Sequence, residues 1–116
     1  MVFVIGASVF STAQKFQLTD RWPIPGQGRW DYVTVDAAAH LLYLTHGDSV
    51  EALDTATGKI TGTITGLKGV HGVALDPGGD EGYISDGGDN VVVVFDRHTF
   101  AVKQKIAAGT NPDGIA

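Results

Sequence analysis

Two similar segments, LYLTHGDSVEALDTATGK at residues 42–59 and GYISDGGDNVVVVFDRHT at residues 82–99, carry the main information about the fold. Tyr43 and Tyr83 are 40 residues apart, whereas Asp54 and Asp96 are 42 residues apart. The two extra residues lie in the Gly- and Asp-rich segment between tyrosine and aspartate, where a surface loop varies inside a constant framework. The chain is therefore built from a repeat of about 40 residues.

Each repeat contains four short runs of β-branched and aromatic residues, separated by turn signals such as Asp76-Pro77-Gly78-Gly79. The alternation of the fourth run in the first repeat places Ile60 and Ile64 on one face. Four antiparallel strands in about 40 residues, repeated, indicate an all-β protein made of β-propeller blades. The predicted strands are Tyr32–Val35, Leu41–Thr45, Val50–Asp54, Lys59–Thr65, Gly72–Leu75, Gly82–Ser85, Val91–Asp96 and Ala101–Ala107.

Two motifs in each repeat point to a family. The second strands read Leu42-Tyr43-Leu44-Thr45 and Gly82-Tyr83-Ile84-Ser85, and the following hairpins begin Leu53-Asp54-Thr55 and Phe95-Asp96-Arg97. They resemble the YVTN-type β-propeller repeat, over about residues 28–116. The Asn that ends the family's second strand is absent from both repeats, which leaves the fold implied but not a shared ligand.

The length predicts an incomplete propeller. Closed propellers have about 4–8 blades, so even four blades need about 160 residues, against 116 in this chain. We expect blade 1 at residues 28–70, blade 2 at 71–112 and the start of a third blade at 113–116. The resemblance implies that residues 14–27 hold a closing strand, Phe16–Trp22, and a linker. The missing blades would come from a longer chain or from self-association.

The amino terminus is typical of an export signal. Residues 2–10 form an apolar run, and Ser11 and Ala13 fit the small-x-small pattern of a cleavage site. The run is much shorter than the about 20 residues that span a bilayer, so no stable membrane span is predicted. We expect residues 1–13 to be a signal peptide, truncated because the usual basic start is missing, and the mature protein to be periplasmic or secreted. A buried strand is the alternative interpretation of the run.

Composition narrows the function classes. The net charge is -5, with 11 Asp, 2 Glu and no basic run, which argues against duplex nucleic acid as a partner. With no cysteine there is no disulfide, thiolate metal site or cysteine nucleophile.

Candidate binding residues fall on one end of the predicted propeller, which we call the loop face. It carries the segments entering each first strand and the loops joining second to third strands. By the repeat, Asp31, His71 and Asp113 are equivalent and should line one rim. The candidate ligand-binding residues are Trp30, Asp31, His46, His71, Asp86, Asp89, Asn90 and Asp113. His40 and His98 are expected in exposed turns at the opposite end.

Several chemistries are compatible with these residue types. Oxygen and imidazole donors suit Ca²⁺ or Zn²⁺, but no fixed ligand spacing such as His-x-x-x-His exists, and Asp and Gly also fill turns. Asp54 and Asp96 recur in each blade, which favours a structural role in their turns. The sequence therefore assigns no metal, no cofactor and no catalytic residue.

Three function classes remain open. The leading hypothesis is a non-enzymatic exported scaffold that binds a protein or small molecule on the loop face. The alternatives are a fragment of a propeller enzyme, of the lactonase or quinoprotein-dehydrogenase type that similar propellers host, and a structural surface-repeat protein.

Overall fold

The computed structural model describes residues 14–116, so the expected signal peptide at residues 1–13 lies outside the described residues. Two four-stranded antiparallel sheets follow one another along the chain. The first contains β1 (Trp30–Asp36), β2 (Leu41–His46), β3 (Ser49–Asp54) and β4 (Ile60–Ile64), hydrogen-bonded in that order. The second contains β5 (Val70–Leu75), β6 (Glu81–Asp86), β7 (Val91–Asp96) and β8 (Val102–Ala107). Within the described part, no helix is long and apolar enough to cross a membrane.

The strand registers confirm the repeat. Tyr43 lies opposite Thr34, and Tyr83 lies opposite Ala74 on the equivalent strand. Register shifts also recur at equivalent places in the two sheets, near the start of each first strand and in each third-to-fourth pairing. The two sheets are therefore equivalent units of an all-β, propeller-type fold that does not close.

The turn after each third strand explains why an aspartate recurs there. The Asp54 carboxylate accepts hydrogen bonds from the Thr57 backbone N–H at 2.8 Å and the Ala56 N–H at 3.0 Å. Asp96 accepts the corresponding bond from Thr99 at 2.8 Å. The Thr57 hydroxyl also donates to Asp54 at 2.8 Å and lowers the pKa of that carboxyl group most, and the backbone bonds hold the pKa of both carboxyl groups below the ordinary range. The structural role expected of Asp54 and Asp96 is confirmed.

The expected side-chain alternation of β4 is wrong. Ile64 pairs with Val50 and is fully buried, whereas Ile60 pairs with Leu53 on the other face and is 39% exposed. The register shifts between these two pairs, because Thr61 is an extra residue on β4. Such a bulge moves every residue beyond it to the opposite face of the sheet.

The main hydrophobic core lies between the two sheets. Tyr43 of β2 and Phe95 of β7 are both fully buried, with their ring centroids 5.6 Å apart. Two polar contacts join the blades across this core. The Thr34 hydroxyl donates to the Val73 carbonyl at 2.8 Å, and Arg97 forms an ion pair with the buried Asp36. The blades are thus fixed relative to one another around their first strands.

The amino-terminal segment lies on the outer face of blade 1. Asp20, Trp22 and Ile24 line a shared cleft with Leu53 of β3, and Leu53 is 1% exposed. The Trp22 indole lies so close to Gly58 that a Cβ there would come within 2.2 Å of the ring. Residues 14–27 contain no strand in this structure. A strand at residues 16–22 stays a prediction, since its expected partners are not among the described strands.

Candidate functional site

The loop face carries an open cleft of about 650 Å³, the rim cleft. Its walls come from the segments that enter successive first strands and from the turn between β2 and β3. The lining residues are Gly28, Arg29, Trp30, Asp31, Gly47, Lys68, Gly69, Val70, His71 and Asp113.

Three predicted residues converge in this cleft, and we call Asp31, His71 and Asp113 the rim cluster. Nδ1 of His71 lies 2.8 Å from Oδ2 of Asp31 and 3.9 Å from Oδ1 of Asp113. One oxygen or nitrogen from each of the three side chains lies within 4.8 Å of the others. The equivalence of these positions in the repeat brings them together, because the first strands of successive blades run side by side.

The imidazole of His71 is held from both sides. Asp31 engages Nδ1, and the side-chain oxygen of Asn111 lies on the Nε2 side of the ring, beside Gly87. A Cβ at Gly87 would lie 2.2 Å from Oδ1 of Asn111 and 2.8 Å from Nε2 of His71. Only a residue without a side chain leaves room for this arrangement, so Gly87 is a site residue that the sequence reasoning missed.

The environment of His71 favours its charged form. The hydrogen bond to Asp31 raises the pKa of His71 most, and partial burial opposes it. The nearby Asn111 side chain and the charge of Asp113 raise the pKa further. These contacts therefore stabilise the imidazolium form of His71 beside the two carboxylates.

Trp30 and His46 form a stacked pair at the edge of the cleft. Their ring centroids are 3.7 Å apart and their planes differ by 7°. His46 is 4% exposed, and its buried Nε2 has no hydrogen-bond partner among the described residues. Trp30 is 45% exposed and reaches the cleft. The indole can therefore contact a ligand, while the imidazole of His46 supports it from behind.

The three remaining candidates hold loops in place. Both carboxylate oxygens of the fully buried Asp86 accept the Lys68 backbone N–H, at 3.2 and 3.1 Å. Asp89 lies between the ammonium groups of Lys68, at 2.6 Å, and Lys105, at 3.0 Å, and these hydrogen bonds lower its pKa.

Asn90 acts on the site indirectly. Its side-chain oxygen accepts the backbone N–H of Asn111 at 2.8 Å, which fixes the segment that reaches His71. Asp86, Asp89 and Asn90 thus lie on the predicted loop face but are occupied by protein partners.

The opposite end of the blades carries His40 and His98, both exposed as expected. Nε2 of His98 lies 2.9 Å from Oδ1 of Asp80, and both side chains are more than 70% exposed. This pair repeats the His–Asp contact of the rim cluster without belonging to a group of three metal-ligating side chains among residues 14–116. It is a natural control for experiments on His71.

Comparisons with known proteins support the fold alone. Hydrazine synthase of Kuenenia stuttgartiensis matches with a TM-score of 0.65 and 23% identity, over 69% of this chain and 23% of that chain. Apo AztD from Citrobacter koseri matches with a TM-score of 0.62 and 18% identity, over 73% of this chain and 25% of that chain. Both are propeller-type folds, and this chain spans about a quarter of the length of each. No family model and no curated protein matches the chain, so the YVTN-type resemblance stays a prediction.

Proposed function

We propose that this chain belongs to an exported propeller protein that binds a small polar ligand or ion in the rim cleft, as a binding module and not as an enzyme. The observation that carries the proposal is the convergence of Asp31, His71 and Asp113 from three successive repeats on one open cleft. Turn-filling residues need no such convergence, since each satisfies its own loop, as Asp54 does.

The surroundings of the cluster fit a binding role. The carboxylates of Asp31 and Asp113 are 39% and 57% exposed, so a ligand can reach them. Trp30 adds an exposed aromatic surface beside these charges. The loops beneath are fixed by the hydrogen bonds of Asp86 and Asn90. A site fixed before binding loses little conformational entropy on binding, which favours affinity.

Export is the second part of the proposal and rests on the apolar run at residues 2–10 with its small-x-small end. Mass spectrometry of the protein recovered from an exporting bacterium tests it. We expect a mature chain that starts near Gln14. An intact amino terminus in the cytosol contradicts export and leaves the cleft proposal untouched.

The binding role can be tested by two-dimensional amide NMR on the whole chain, titrated with a panel of probes. Glucose, succinate, adenosine monophosphate, Ca²⁺ and Zn²⁺ cover neutral, anionic, aromatic and cationic ligands. We expect saturable shifts for at least one probe at Asp31, His71 and Asp113, and their loss in Asp113→Ala. A panel without any shift at the cleft, or with shifts centred on His98, would count against the proposal.

A further inference from the structure

We infer that the rim cluster is a binding site for a divalent transition-metal ion of the zinc type, with Nδ1 of His71 and one carboxylate oxygen each of Asp31 and Asp113 as its protein ligands. This inference rests on the proposed function and names the ligand class of the same cleft. The sequence did not predict a metal site, because no two ligands share a local motif and each comes from a different repeat.

The distances between the donor atoms fit such an ion. Zinc binds imidazole nitrogen and carboxylate oxygen at about 2.0–2.2 Å in tetrahedral geometry, which separates neighbouring donors by about 3.4 Å. The observed separations from Nδ1 are 2.8 Å to Asp31 and 3.9 Å to Asp113, one below and one above that value. The two carboxylates lie within 4.8 Å of each other, so side-chain rotations that bring these exposed groups up to about 1.4 Å closer would accommodate the ion.

The orientation of His71 provides a second, independent argument. A metal-binding histidine usually donates its other ring N–H to an oxygen acceptor, which fixes the tautomer and directs the lone pair at the metal. Oδ1 of Asn111 occupies the space that Gly87 leaves beside Nε2, where an oxygen can accept this proton. The ring therefore presents Nδ1 to the two carboxylates, as a metal ligand would.

The donor set selects the class of ion. One imidazole and two carboxylates, with a fourth position open to the cleft, match a zinc site that exchanges or binds a further ligand. Ca²⁺ prefers six to eight oxygen ligands and gains little from an imidazole. The chain has no cysteine to favour copper(I) or an iron–sulfur cluster.

The charges around the cleft permit a cation. Asp31 and Asp113 face the ion directly, whereas Lys68 is paired with Asp89 at 2.6 Å, which offsets its charge. Arg29 also lines the cleft and weakens the attraction.

The direct test uses the whole chain, stripped with a chelator, and Zn²⁺ or Co²⁺ as the only probe. We expect one equivalent of Zn²⁺ to bind, one equivalent of Co²⁺ to give the visible absorption of a tetrahedral site, and Zn²⁺ to shift the Nδ1 resonance of His71 while Nε2 stays protonated. His71→Gln and Asp113→Asn should each lower the zinc affinity by more than about 10–100-fold. A loss of that size is typical when a residue that hydrogen-bonds a metal ligand is removed, and not the ligand itself.

His98→Gln is the matched control, because it removes an equally polar His–Asp contact at the far end. It should leave zinc binding unchanged. Near-ultraviolet circular dichroism checks that each variant keeps the packing of the parent. Two outcomes would overturn the inference: no zinc binding tighter than about 100 μM, or binding that survives His71→Gln and is therefore adventitious.

The same experiments distinguish failure of the metal assignment from failure of the proposed binding role. If an organic probe shifts the cleft resonances and Zn²⁺ does not, the metal assignment fails and the binding role stands. If no probe of either kind acts at the cleft, both fail together.

Discussion

Arg97→Met should destabilise the fold by about 3 kcal/mol, because it strands a buried charge between the blades. Asp36 is 4% exposed, and without Arg97 its carboxylate keeps only the Ala39 N–H, at 3.1 Å, as a partner among the described residues. Removing one member of a buried ion pair costs about 3–5 kcal/mol. The Arg97 side chain is 17% exposed, so water reaches part of the pair and the lower end of that range applies.

The pH dependence of this loss has a defined sign. Burial acts to raise the pKa of Asp36, but the hydrogen bonds from Arg97 and Ala39 outweigh burial and lower it. In the parent, the stabilisation is present above a pH of about 3.8 and is lost as the pH falls through the lowered pKa. In the variant, burial remains without Arg97, so the carboxyl group is protonated at higher pH. The difference between parent and variant should therefore shrink on acidification.

Urea denaturation at one fixed protein concentration, at neutral and at acid pH, measures both effects. Asp36→Asn combined with Arg97→Met removes the stranded charge and should recover most of the loss. About 1–2 kcal/mol should remain, because Arg97 no longer donates to the carbonyls of Asp76 and Gly79. Lys103→Met breaks the exposed pair with Glu81 and should cost at most about 1 kcal/mol. An Arg97→Met loss no larger than this control, or equal at both pH values, would refute the reasoning.

Three further predictions concern the site and the assembly. Because Asp31 raises the pKa of His71, the stabilisation from this pair should be complete below a pH of about 6.5 and should disappear as the pH rises through the folded-state pKa. Imidazole NMR should show a lower pKa of His71 in Asp31→Asn, and an unchanged pKa would contradict this prediction. Gly87→Ala should displace Asn111 and lower the same pKa, whereas Gly78→Ala, which meets no atom within 4 Å, should leave it unchanged. We also expect the chain alone to associate through its uncovered sheet faces and strand edges; light scattering after size exclusion checks this, and a monodisperse monomer with a sharp melt would disprove it.

The sequence predicted the blades because their signal is local and occurs twice. Tyr43 and Tyr83 recur with their strands, and each hairpin carries its own aspartate, so spacing alone places the sheets. The bulge on β4 was not predictable, since Thr61 is as compatible with regular alternation as with an extra residue. Only the pairing of β4 with β3 shows that Thr61 is an extra residue.

Only part of the candidate site was likewise predictable from the sequence. The equivalence of Asp31, His71 and Asp113 follows from the repeat, and the three do meet. The partners of Asp86 and Asp89 are a backbone N–H and two lysines from other segments. No spacing rule predicts such pairings, so sequence reasoning could not separate residues that face a ligand from residues that hold loops.

The contact between the blades also gives the assembly a direction. Blade 1 contributes one face of its sheet to this contact, and blade 2 contributes the opposite face of the equivalent sheet. The interface therefore has no twofold symmetry and is heterologous. On the remaining face of blade 1, Trp22 and Ile24 line a cleft with Leu53. The remaining face of blade 2 leaves Ile106 44% exposed. A further repeat can therefore pack directly on blade 2, whereas one that packs on blade 1 would first have to displace Trp22 and Ile24.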